Sequence, residues 1–183
     1  CRRRLARSRA TTAWERGCTP VASLAGGEPR PVRTAAVCDA APGLFGPRDE
    51  NLQEHYLFHG TSPAGALGII REGFDMGRSL NGRPLLFGPG AYFAEASSKF
   101  DEYASPDEFS GLCAALVCRV LCGQMHRALR KLDAEFVLSE EFAECFDSVL
   151  GDREASVGTY REFVVFQEDQ VYPEYIVFYD RER

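Results

Sequence analysis

The 183-residue chain is 45% apolar with a mean hydropathy of −0.24, the balance of a soluble globular domain with room for one substantial core. Its charge is divided: residues 1–48 hold nine Arg against three acidic residues, a net of +6, while residues 49–183 carry a net of −12. A folded region that acidic speaks against duplex nucleic-acid binding, which needs clustered Lys and Arg against the phosphates, and no apolar run approaches the ~20 residues of a membrane span.

Residues 1–48 are rich in Arg, Ala, Gly and Pro without periodicity. They read as a basic low-complexity linker or disordered arm, followed by one folded domain over 49–183. Cys rather than Met at position 1 is what a piece of a longer protein shows. Order is expected to begin near Asn51. "EHYLFHG" is a β-favouring run ending at Gly60. "SPAGALGIIREG" then predicts a short helix, with Ser62 as N-cap, Pro63 at the first helical position and Gly73 at the close. Leu67, Ile70 and Ala66 form its apolar stripe.

Residues 75–89 have no period and predict a long loop, of the length that often carries function. "AYFA" predicts a strand and "SSKFDEYA" a short helix capped by Ser97 or Ser98. Residues 112–123 predict a buried strand. Residues 133–146 predict an acidic amphipathic insert with Phe136, Leu138, Phe142 and Phe146 as its apolar positions. "DSVLGD", "REFVVF" and "QVYPEYIVFY" supply three more strands. Strands and short helices in this order predict an α+β domain with a largely antiparallel sheet.

The seven cysteines have no regular framework, which suits free thiols in a reducing compartment. Cys113, Cys118, Cys122 and His126 lack a C-x2-C pair, and Cys118 and Cys122 fall within the predicted strand. They read as small apolar strand residues rather than zinc ligands, and no metal is expected.

Three places hold chemistry-bearing residues. His59-Gly60-Thr61 ends the first strand: His offers a donor or acceptor for a sugar hydroxyl, and Gly lets a ligand approach the backbone. The same residues also suit an ordinary strand end. "LFGPGAYFAEASSKFDEYA", residues 86–104, sets Tyr92 and Tyr103 after a tight turn. They are either core aromatics or two walls of a slot for a planar heterocycle, where stacking contributes ~0.5–1.5 kcal/mol per contact. "GPG" is no dinucleotide fingerprint of the Rossmann type. In "YREFVVF", strand alternation puts Tyr160, Glu162, Val164 and Phe166 on one face and Arg161, Phe163 and Val165 on the other. Glu162 is then a surface charge at the strand's beginning, or a cleft carboxylate able to stabilise an oxocarbenium-like sugar. Glu174, set after Pro173 among bulky apolar residues, reads as structural.

The order of these motifs, from His-Gly-Thr through Gly-x-Gly-x-Tyr-Phe-Ala and Ser-Ser-Lys to "REFVVF…QVYPEY", resembles the catalytic domain of the poly(ADP-ribose) polymerase family over residues 56–179. It is most similar to the tankyrase-like and protist members. The resemblance implies the ADP-ribosyltransferase fold, a split β-sheet core with short flanking helices, and NAD as co-substrate. It implies that His59 holds ribose hydroxyls, that the Gly60 backbone grips the nicotinamide amide beside Thr61, and that Tyr92 and Tyr103 form the nicotinamide slot. Glu162 completes a His59-Tyr92-Glu162 catalytic set that cleaves the nicotinamide–ribose bond, under the cover of the 75–89 loop.

Two features depart from the pattern. Phe100 stands where many members carry a serine that hydrogen-bonds the nicotinamide amide, leaving Ser98 and Ser97 nearby. A lost hydrogen bond of roughly 0.5–1.5 kcal/mol weakens NAD binding up to about tenfold. The tankyrase-type zinc loop is absent. The resemblance implies acceptor proteins, self-modification included, as partners and an intracellular setting, nuclear or cytoplasmic. The alternative is a degenerate module that holds NAD or ADP-ribose without turnover.

Overall fold

A computed structural model describes residues 30–77 and 85–181. Seven strands share one sheet: β1 Glu54–Thr61, β2 Ala91–Ala94, β3 Cys113–Leu121, β4 Met125–Ala128, β5 Ser148–Gly151, β6 Glu162–Val165 and β7 Val171–Tyr179. Their order is β4-β5-β6-β2-β1-β3-β7. Only β4 and β5 run parallel, so the largely antiparallel α+β reading holds. The short helices α1 Arg33–Ala40, α2 Pro63–Glu72, α3 Ser97–Asp101, α4 Ala134–Val137, α5 Glu140–Cys145 and α6 Arg153–Val157 flank it.

The sheet is nearly divided in the middle. β1 pairs with β3 along its whole length, and β2 pairs fully with β6, but β1 meets β2 at the single register pair Phe58↔Ala94. On one face Leu57, Leu116, Phe93 and Phe163 build the main core. A second cluster of Phe87, Val149, Val164 and Phe142 lies under the α4–α5 insert. Phe163 and Val165 belong to the first cluster and Val164 and Phe166 to the second, as the alternation of β6 requires.

The edge strand β7 tolerates Pro173 because its outer side needs no ladder partner. A bulge opposite Val117 and Cys118 leaves Glu174 to accept from the Tyr56 hydroxyl at 3.0 Å and to pair with Arg119 at 2.6 Å. Glu174 is therefore structural. Cys113, Cys118 and Cys122 are buried thiols, and burial pushes the Cys122 thiol up to about 12. Cys145 departs from the free-thiol expectation, being disulfide-bonded.

Several local expectations are corrected. Residues 30–48 are not all arm: α1 docks with Thr34 and Cys38 buried. Its anchorage is mostly polar, so no apolar stripe announced it. In α2, Ser62 caps as expected, its Oγ accepting from the Gly65 amide at 3.1 Å. The buried stripe is Ala66 with Ile69 beside it, whereas Leu67 and Ile70 are exposed. α3 has no side-chain cap; Ala96 occupies that position, so neither Ser97 nor Ser98 serves. In the acidic insert, Val137 and Phe142 are buried while Leu138 is exposed, because a break at Ser139 turns one amphipathic run into two helices. Residues 78–84 of the long loop lie outside the described residues.

His55 shows the cost of this packing. Both ring nitrogens are buried without hydrogen-bond partners among the described residues, and burial, reinforced by Arg48 and Arg161, lowers its pKa to about 4. The folded state thus binds fewer protons than the unfolded chain between pH 6.5 and 4. Stability from this site is complete above pH 6.5 and is lost as the pH falls through that window, by up to about 3 kcal/mol. We predict that His55→Phe flattens the acid limb of a urea-midpoint profile between pH 6.5 and 4. An unchanged slope would contradict it.

Candidate active site

At the division between β1 and β2 lies a cavity of about 610 Å³, within the ~300–1,000 Å³ range of ligand pockets. Its lining includes His59, Gly60, Thr61, Tyr92, Phe100, Tyr103 and Glu162. Residues from both faces of β2 reach it, Tyr92 and Ala94 from one and Ala91 and Phe93 from the other. The gap in the ladder makes this convergence geometrically available. Ser98 is the exception among the expected site residues: it is exposed on α3 and does not line the cavity.

Glu162 begins β6 and is 4% exposed. Its Oε1 accepts from the Tyr103 hydroxyl at 3.0 Å and lies 3.5 Å from the Lys99 ammonium. Among the described residues no hydrogen bond engages Oε2, which leaves it for a ligand. Burial alone would lower the Lys99 pKa, but Glu102, at 2.8 Å, and then Glu162 more than offset it, holding the ammonium above its ordinary value. The same ammonium sits 4.9 Å from the centre of the Tyr103 ring, a cation–π contact. Burial and the Glu162 charge push the Tyr103 hydroxyl up, so it stays a donor.

Tyr92 has a different task from Tyr103. Its hydroxyl accepts from the Phe87 amide at 3.0 Å and donates to the Gly88 carbonyl at 2.8 Å, bracing the turn before β2. Gly88 has φ +90°, and a Cβ there would meet Val137 Cγ1 at 2.6 Å; the α4–α5 insert thus rests directly on this turn. Burial raises the Tyr92 hydroxyl to about 12. His59 stacks edge-on to Phe74 at 5.0 Å and approaches Phe93 at 5.5 Å. Its Nδ1 is 2.9 Å from the Tyr92 carbonyl. Burial lowers the imidazole pKa, only partly countered by that carbonyl. Neutral, His59 donates from Nδ1 to the carbonyl and keeps Nε2 as an acceptor, suited to a hydroxyl.

Phe100 lines the cavity but offers no polar group; its ring packs 5.0 Å from Phe58 and 6.0 Å from Tyr179. Lys99, which the sequence reading passed over, lines the cavity and meets Glu162. Its signal was present, since the i,i+4 spacing to Tyr103 and i,i+3 spacing to Glu102 set it beneath both. Arg153, also missed, lines the cavity from the start of α6.

A family model for the poly(ADP-ribose) polymerase catalytic domain matches residues 39–152. That stretch includes His59, Gly60, Tyr92, Lys99 and Tyr103 and ends before Glu162. This chain belongs to the poly(ADP-ribose) polymerase catalytic-domain family. Among known proteins it is similar to protein mono-ADP-ribosyltransferase PARP10 of Mus musculus, 33% identical over 127 residues, covering 68% of this chain and 12% of that protein. It is 32% identical over 132 residues to protein mono-ADP-ribosyltransferase PARP12 of Homo sapiens, covering 70% and 17% respectively. The chain thus spans less than a fifth of the length of either relative.

Gly60 is where the site allows no side chain. A Cβ there would lie 2.0 Å from the Phe100 carbonyl oxygen, so Gly60→Ala must push α3, and with it Lys99 and Tyr103, away from β1. We predict a loss of about 1–3 kcal/mol in a urea titration. An unchanged midpoint would mean that α3 gives way freely.

Proposed function

We propose that this domain binds NAD in the β1/β2 cavity and transfers ADP-ribose to a side chain of an acceptor protein. The observation that carries the reading is the Glu162 carboxylate, buried in the cavity and held through one oxygen by Tyr103 and Lys99, with no described residue hydrogen-bonded to the other. His59 and Tyr92 line the same cavity, as the resemblance implies for the ribose and nicotinamide.

In the proposed reaction the bond from ribose C1′ to the nicotinamide nitrogen breaks. Its electron pair leaves on that nitrogen and neutralises the pyridinium charge. Glu162 stabilises the cationic ribose that develops, where a fixed carboxylate acts more strongly than in water. The acceptor's lone pair then closes the new bond at C1′, and its proton passes to Oε2. The flanks of Tyr92 and Tyr103 hold the departing ring, and neutral His59 accepts from a ribose hydroxyl.

Transfer of a single ADP-ribose unit is the finer form of this reading. It is supported by the names of the similar proteins, which are mono-ADP-ribosyltransferases; a complete His59-Tyr92-Glu162 set permits chain elongation without establishing it. Phe100 favours a second reading, an NAD-holding module without turnover, because it supplies no hydrogen bond to the amide. No metal enters either scheme. The domain's acidity favours basic acceptor proteins, and self-modification falls within the same chemistry.

We predict that Glu162→Gln binds NAD with little change but transfers about 10²–10³-fold more slowly, read by calorimetry beside a labelled-NAD gel. A single labelled band in the parent supports one-unit transfer and a ladder supports chains. No label in the parent despite NAD binding would turn the reading to the non-catalytic module, and equal labelling of parent and variant would remove Glu162 from the reaction.

A further inference from the structure

On the face of β6 opposite Glu162, a second buried carboxylate meets a buried arginine. Arg161 is 3% and Glu95 5% exposed. Arg161 Nε donates to Glu95 Oε1 at 2.6 Å, and one terminal nitrogen donates to Oε2 at 2.7 Å. This fork is the strong, directional form of ion pair. Its place in the register is informative. The last backbone rung between β2 and β6 is Ala94↔Glu162, so Glu95 and Arg161 stand where the next rung would fall. The ion pair closes the open end of the ladder on which Glu162 is the terminal residue.

The fork does not use all of the guanidinium. Its terminal nitrogens also donate to the backbone carbonyls of Arg30, at 2.6 Å, and Pro31, at 2.9 Å. The amide of Arg33 in turn donates to Glu95 Oε2 at 2.6 Å. Arg30 and Arg33 both reach Glu154 of α6, at 2.8 and 3.0 Å. Residues 30–33 therefore tie together the end of β2, the start of β6 and α6. All of these segment residues precede position 39, where the family match begins.

We propose that residues 30–33 form a clasp that completes the catalytic unit, with Arg161 and Glu95 as positioning residues that fix the β6 end and thereby set Glu162 within the cavity. The Arg161 guanidinium takes its acceptors from both Glu95 and the segment, so the ion pair and the segment hold each other in place. Displacement at residues 30–33 is thus felt first at Arg161, one residue from Glu162. The functional consequence rests on the transferase reading; the mechanical one does not.

The test is Arg161→Lys in the full chain, which keeps the charge and loses the fork, with amide hydrogen exchange as the first readout. The clasp predicts exchange about tenfold faster in residues 162–165 with β3 and β7 unchanged. It also predicts a kcat for transfer about tenfold lower with KM for NAD within about twofold. A second variant, Glu95→Gln, must reproduce the same local pattern, since it removes the charge from the fork and from the Arg33 amide and leaves Arg161 and residues 30–33 in place. Unchanged exchange in residues 162–165, or acceleration spread evenly over the whole sheet, overturns the proposal. If the parent chain transfers nothing, the transferase reading fails while the exchange comparison still decides the clasp.

Discussion

A carboxylate buried at the end of a short strand is the constraint around which this domain is arranged. Glu162 cannot be taken out of water without partners for its charge, and the fold supplies them from one short helix. Lys99 and Tyr103 both come from the α3 region, which reaches Glu162 because Gly60 has no side chain to keep the Phe100 carbonyl away from β1. Holding one oxygen and leaving the other free turns a costly burial into a directed one. Stability and chemistry are thus coupled: the groups that make Glu162 tolerable inside the protein are those that aim it.

The near-division of the sheet provides the space. A continuous ladder between β1 and β2 would close the gap, whereas one shared register pair keeps the halves joined and the cavity open. Each half is stiffened separately. The β1/β3 side leans on the Tyr56, Arg119 and Glu174 cluster, and the β5/β6/β2 side on the insert beneath Val137 and the fork between Arg161 and Glu95. Tyr92, at the margin of the gap, spends its hydroxyl on bracing a turn and presents only its ring to the cavity.

Much of this was legible in the sequence because it rests on local signals. The strand at "EHYLFHG", the Ser62-Pro63 helix start and the alternating faces of "REFVVF" follow from capping and periodicity, and they set His59 and Glu162 at strand ends, where both line the cavity. Tyr92 and Tyr103 do line one cavity, although Tyr92 doubles as a structural brace, an outcome between the two readings open at the outset. What the sequence hid depends on long-range partners. Nothing near Arg161 or Glu95 shows that they pair, nor that residues 30–33 reach across to them, so α1 reads as part of an arm. Lys99 was half legible: its spacing to Glu102 and Tyr103 follows from the helix, but the carboxylate 63 positions later in the chain that it also meets does not. In α2 and the acidic insert the expected stripes are only partly buried, Ala66 and Phe142 inside but Leu67, Ile70 and Leu138 exposed, because short helices give too few turns to fix a stripe.

The most direct test of the central claim is a crystal structure of the domain with a non-hydrolysable NAD analogue. The account predicts the nicotinamide between Tyr92 and Tyr103 with its amide on the Gly60 backbone. It also predicts Glu162 Oε1 still on Tyr103 and Lys99, with Oε2 turned toward the ribose. A dinucleotide bound elsewhere, or a Glu162 whose two oxygens both face away from the ribose, would contradict it.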